Sequence, residues 1–116
     1  MPTERFACLA AGVGLALAVL SLGAHPPIVA PWDKAVHFAA YAAITALLWL
    51  GTEGRAPLAV PVAVALLGGV DELRQMFVPG RSAELADFIA DALAAASVAA
   101  AFLAWGKRAC VESSQR

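Results

Sequence analysis

Charge is scarce in this sequence. Asp, Glu, Lys and Arg make up 15% of its 116 residues, apolar residues make up 61%, and the mean hydropathy is +0.75. Ordinary soluble domains carry about a quarter charged residues. The shortage excludes that class and points to a polytopic membrane protein of one domain, residues 1–116. Eight basic residues stand against nine acidic ones, for a formal charge of -1. No basic stripe is left to neutralise phosphates, so nucleic acid is excluded as a partner class. Two cysteines, Cys8 and Cys110, are too few and too far apart for a disulfide framework or a zinc knuckle, and both read as structural thiols. A compact ligand motif such as HExxH is missing. So is a nucleophile in a triad-like setting: Ser82 reads as a helix cap, Ser21 and Ser97 lie in apolar runs, and Thr45 and Thr52 have no evident base.

The apolar residues fall into four runs, which predict an all-α bundle of four transmembrane helices with spans of about 6–24, 34–50, 57–77 and 83–105. The first run, Phe6 to Ala24, has about nineteen residues without a charge, enough to span; as a signal-peptide core it is long. Pro26, Pro27 and Pro31 forbid helix between the first and second runs, and Asp33 is placed to cap the second. The stretch Gly51 to Arg55 is a polar turn with two glycines. Pro57 suits the start of the third helix, and Pro61 is expected to bend it. The third apolar run, Ala56 to Val70, holds only about fifteen residues, so this helix crosses only by continuing through Asp71, Glu72 and Gln75 towards Phe77. Val78, Pro79 and Gly80 then stop it. In the fourth helix Ala92, Ala96, Ala100 and Ala104 recur at the spacing of a packing seam.

Four spans put both termini on one side. Arg5, Arg55, Lys107, Arg108 and Arg116 fall there, against Lys34, Arg74 and Arg81 opposite, which makes the first side cytoplasmic. The start of helix two, the end of helix three and the start of helix four then share the outer side. Each carries a polar stripe at helical spacing: Lys34, His37 and Tyr41; Gly68, Asp71, Glu72 and Gln75; Glu84, Asp87 and Asp91. Facing lipid, each ionisable group costs a few kcal/mol or more, so the stripes are expected to turn inward and meet in one site.

Several readings of that site are open at this level. It could be an internal network that fixes helix packing. It could hold an anionic headgroup, with Lys34, Arg74, Arg81 and two helix N-termini supplying positive charge. It could hold a divalent metal on His37, Glu72, Asp87 and Asp91, or use Glu72 and Asp91 for acid–base work.

The two polar blocks also carry a resemblance. Asp33, Lys34, His37, Phe38 and Tyr41, followed by Asp71, Glu72, Gln75, Phe77, Pro79, Gly80, Arg81 and Asp87, resemble the pattern of the VanZ-like membrane proteins over roughly residues 30 to 100. Two positions depart from it: Asp91 stands where asparagine is usual, and Ala95 where glycine is usual. The resemblance implies a small integral membrane protein linked to low-level resistance to the glycopeptide teicoplanin, and it supplies no molecular mechanism. The combined expectation is a site of Lys34, His37, Tyr41, Asp71, Glu72, Gln75, Arg81, Asp87 and Asp91 that binds a membrane lipid headgroup or a lipid-linked wall precursor. Binding is expected rather than catalysis, without a cofactor. A lipid-processing enzyme and a packing module that oligomerises or supports a partner membrane protein are the alternatives.

Overall fold

The computed structural model describes residues 2–22, 32–77 and 85–116, with residues 22 and 32–34 described by their backbone alone. The expected proline link, the cap at Ser82 and the loop from Val78 to Arg81 lie outside the described residues, whereas Asp33, expected to cap the second helix, already lies inside it, because that helix includes Trp32. Among the described residues there are four helices and no strand: α1 (Pro2–Leu22), α2 (Trp32–Gly51), α3 (Ala59–Gln75) and α4 (Leu85–Ser114). The all-α expectation therefore holds.

The helix ends follow local chemistry. Pro2 opens α1, where its missing N–H costs nothing, and Glu4 sits in the first turn against the positive end of the dipole. Between α2 and α3 the chain reverses through Glu53 at φ 55° and Gly54 at φ 69°. The second of these left-handed positions suits glycine, whose absent side chain also leaves room for the Trp49 indole. Pro57 precedes α3 rather than starting it. Pro61 is the third residue of α3, where helix donors have no intrahelical acceptor, so it costs no ladder bond.

The helices alternate in direction. Leu9 meets Gly51 and Gly12 meets Leu48, which runs α1 antiparallel to α2. His37 and Trp49 of α2 meet Asp91 and Phe102 of α4 in that order, which makes α2 and α4 parallel neighbours. Packing proceeds from α1 to α2 to α4 to α3, with α2 touching α3 less extensively and α1 hardly reaching α3. One end of the bundle gathers Arg5, Glu53 and Arg55, with Arg5 and Arg55 at 3.8 and 3.0 Å from the Glu53 carboxylate. Lys107 and Arg108 lie towards the same end, and we call it the basic end. At the opposite, acidic end lie the last turn of α3 and the first turns of α2 and α4.

The core is thin and the exterior oily. Ile44, Val64, Ala94 and Ala95 form one buried cluster with Tyr41, and Trp49, Val60 and Ala99 form a second towards the basic end. Leu17, Leu66, Leu73 and Leu93 are exposed, whereas Asp71, Glu72, Gln75, Asp87 and Asp91 are buried. A water-soluble domain places these classes the other way round. By length and apolar composition α1 and α4 each suffice to cross a membrane, while α2 has a shorter apolar stretch, Ala35–Gly51.

Two expectations are corrected here, the packed thiol at Cys110 and the register of the alanine seam. Helix four continues about nine residues past Trp105 to Ser114; at about 1.5 Å per residue its 30 residues span roughly 45 Å, so it outruns a hydrocarbon core of about 30 Å. Cys110, exposed on that extension, is not a packed structural thiol. The alanine seam also falls one residue from its expected register. Ala96, Ala100 and Ala104 are exposed, and the buried alanines are 94, 95 and 99, which continue the stripe of Asp87 and Asp91.

Candidate functional site

The acidic end of α3 fixes the site because four of its residues share one face. Gly68, Asp71, Glu72 and Gln75 recur at helical spacing and are all buried. Gly68 has a specific reason to be glycine. A Cβ built on it would stand 2.9 Å from both the Cβ and Oδ2 of Asp91, so the missing side chain lets that carboxylate lie against the α3 backbone. One turn on, Gln75 donates from Nε2 to Asp71 Oδ2 at 3.4 Å, a long hydrogen bond within the helix.

Helix α4 brings Asp87 and Asp91 to the same place. Asp91 is fully buried and Asp87 nearly so. The Asp91 carboxylate lies roughly 9 Å along the axis from Leu85, the first residue of the helix as described, at about 1.5 Å per residue. His37 of α2 approaches it, Nδ1 to Oδ1, at 3.4 Å. One turn further along α2, the Tyr41 ring stacks on His37 with centroids 6.1 Å apart and planes 12° from parallel. The Tyr41 hydroxyl faces Asp71 without the alignment of a hydrogen bond, and the charges of Asp91 and Glu72 also act on it.

Of the nine residues expected at the site, the structure therefore brings together His37, Tyr41, Asp71, Glu72, Gln75, Asp87 and Asp91. Arg81 and the Lys34 side chain lie outside the described residues. Thr45 was missed. It is fully buried one turn beyond Tyr41 and donates from Oγ1 to the Tyr41 carbonyl at 2.7 Å. Its position four residues after Tyr41 and eight after His37 was the signal that could have found it. Arg74 departs from the reading that grouped it with Lys34 and Arg81 at an anionic headgroup site: its guanidinium is exposed and donates to the main-chain carbonyl of Leu20 in α1.

The arrangement carries one chemical feature that packing alone does not require. Both oxygens of Asp91 and the hydroxyl of Tyr41 are enclosed without a protein hydrogen bond, the His37 contact being too poorly aligned to count as one. Buried polar atoms are satisfied in the great majority of cases, and a closed structural network would pair them with one another. Among the described residues, no three His, Cys, Asp or Glu side chains are grouped so as to hold a metal ion. The set proposed for metal, His37, Glu72, Asp87 and Asp91, therefore does not form a ligand cage.

Comparison of the chain with protein-family models, with curated proteins and with solved structures finds no match.

Proposed function

We propose that this chain is a VanZ-like integral membrane protein of the bacterial inner membrane. Its four helices all cross the bilayer, and its acidic end opens on the outer side. There the polar site binds the headgroup of an envelope lipid or lipid-linked wall precursor, a role compatible with a link to glycopeptide resistance. The observation that carries this reading is Asp91. It is a fully buried carboxylate against the Gly68 backbone whose one close polar contact among the described residues is His37 Nδ1, 3.4 Å from Oδ1 and poorly aligned. Such a group is costly in lipid and persists where a ligand or relay uses it. The hydroxyl of Tyr41 beside it offers a donor and the carboxylates offer acceptors, a set that suits polar sugar, amide or ammonium groups. Placement in the membrane is supported by the exposed apolar surface and by the two helices long enough to span.

The test is retention of lipid through purification. Wild-type protein and the Asp91→Asn, Glu72→Gln and Asp87→Asn variants are purified in mild detergent, and their bound lipids are identified by mass spectrometry. The expected result is one polar lipid class retained by the wild type and lost in the variants, with helical content unchanged. Identical lipids in all four proteins would sink the reading. A fall in thermal stability with no change in bound molecules would instead assign the acids to packing.

A further inference from the structure

A second feature lies further along the same face of α2. Helices α1 and α3 both lean on the bundle yet hardly touch each other, so a groove runs between them with α2 as its floor. Its walls are Gly12, Ala16 and Leu20 on one side and Ala63 on the other; Ile44 and Leu48 form the base. It encloses about 200 Å³. That is below the roughly 300–1,000 Å³ of pockets that enclose a whole drug-sized molecule, so the space suits part of a ligand, such as one chain. From Gly12 to Leu20 it extends about 12 Å along α1 at about 1.5 Å per residue, close to the depth of one leaflet of a hydrocarbon core about 30 Å thick.

The acidic end of the groove is where Arg74 reaches across from α3. Leu20 lines the groove in the last described turn of α1, and its carbonyl accepts a hydrogen bond from the Arg74 guanidinium. A guanidinium has five N–H groups in a planar fork, and the exposed side chain of Arg74 keeps others available towards the membrane surface. An apolar slot of leaflet depth, ending at an arginine at headgroup level, is complementary to one kind of molecule.

We propose that this groove holds one acyl chain of an anionic phospholipid, with the lipid phosphate on Arg74. The site is separate from the polar site at Asp91, and it rests on the membrane placement proposed above but not on that site's ligand. The phosphodiester of either headgroup can accept two parallel hydrogen bonds from a guanidinium, but in a zwitterionic headgroup the ammonium offsets the phosphate and leaves the arginine less net charge to pair with. Lipid occupancy also explains how Val13 and Leu17, which line the groove and are exposed, can stand between α1 and α3 with so little contact between the two helices.

The experiment is native mass spectrometry after incubation with equimolar phosphatidylglycerol and phosphatidylcholine vesicles. The Asp91→Asn background is used so that the polar site does not contribute. Phosphatidylglycerol is expected to be retained over phosphatidylcholine by roughly tenfold, the factor corresponding to a charge-assisted hydrogen bond. Arg74→Gln is expected to erase the preference and Arg74→Lys to preserve part of it. Ala63→Phe, which adds a ring into open space, is expected to reduce retention of both lipids while helical content and elution volume stay constant. Equal retention of the two lipids by the background protein would overturn the proposal, as would a preference indifferent to Arg74→Gln. A third overturning result is that Ala63→Phe splits a dimer without altering lipid retention, which would assign the groove to a second copy of the chain. Failure of the polar-site reading leaves all three outcomes unchanged.

Discussion

Towards the basic end of the bundle Trp49 stacks on Phe102, with centroids 5.6 Å apart, over Val60 and Ala99; towards the acidic end the same α2, α3 and α4 meet through His37, Asp71, Glu72, Asp87 and Asp91. The backbone task is the same in both places, since three helices must be held together. One half performs it with aromatic and aliphatic contacts alone. The contrast teaches that α2, α3 and α4 can be held together without buried carboxylates, since among the described residues none is buried between them towards the basic end. Within lipid the polar half is the more expensive solution, and expense of that kind marks a site rather than a joint.

The largest expected effect is at the apolar half. Trp49→Ala should destabilise the protein by about 3 kcal/mol, the lower end of the range for truncating a buried tryptophan, because in the proposed bilayer setting lipid rather than water surrounds the fold and only packing is lost. Thermal unfolding in detergent measures this, and the lipid bound at the polar site should be unchanged below the transition. Asp91→Asn should do the opposite. It keeps the shape of the side chain and replaces the buried carboxylate with an amide, so stability should move by no more than about 1 kcal/mol while ligand retention disappears. Should Asp91→Asn unfold the protein as readily as Trp49→Ala, the contrast between the halves is void and the acids are joints after all.

Adjacent glycines give a finer version of the same comparison. Gly68→Ala drives a methyl group to 2.9 Å from Asp91 atoms, and the strain of about 1–3 kcal/mol should outweigh the helix propensity gained. Gly69→Ala meets only the edge of the Phe88 ring at 3.4 Å, so propensity should dominate, with a gain of up to about 1 kcal/mol. Opposite signs at neighbouring positions would locate the close approach of α3 to α4 at Asp91. The same sign at both would mean that the two helices are free to move apart.

Much of this was legible from spacing. The helices are separated by prolines and glycines, and the acids of α3 and α4 repeat at the period of one helix face, so the convergence of His37, Asp71 and Asp91 followed from chain alternation alone. Arg74 shows where spacing stops. It sits about 100° around α3 from the centre of the buried stripe at 3.6 residues per turn, and its target is a carbonyl of α1, which side-chain patterns do not reveal. The seam of α4 was misread for a related reason. Alanines at 92, 96, 100 and 104 repeat as well as those at 95 and 99, and only the burial of Asp91 selects between the two registers. The extension of α4 to Ser114 was missed because its polar residues look like a tail, although nothing in them breaks a helix.

The smallest expected effect concerns the basic end. Arg5 and Arg55 share Glu53 in partly exposed ion pairs, so Glu53→Gln should cost under about 1 kcal/mol, and less at high salt. The substitution leaves two arginines without their acid at one end of the bundle. If that end is cytoplasmic, the positive bias that sets orientation grows and the topology is retained. Cys110 reports on this directly, because it is exposed on the part of α4 that outruns the bilayer. In a Cys8→Ala background, a membrane-impermeant maleimide should label Cys110 in inverted vesicles and not in intact cells, with and without Glu53→Gln. Labelling from outside would turn the bundle over and place the acidic half on the cytoplasmic side, where a carrier-linked wall precursor on its inner leaflet, rather than an outward-facing lipid, becomes the ligand the carboxylates could reach.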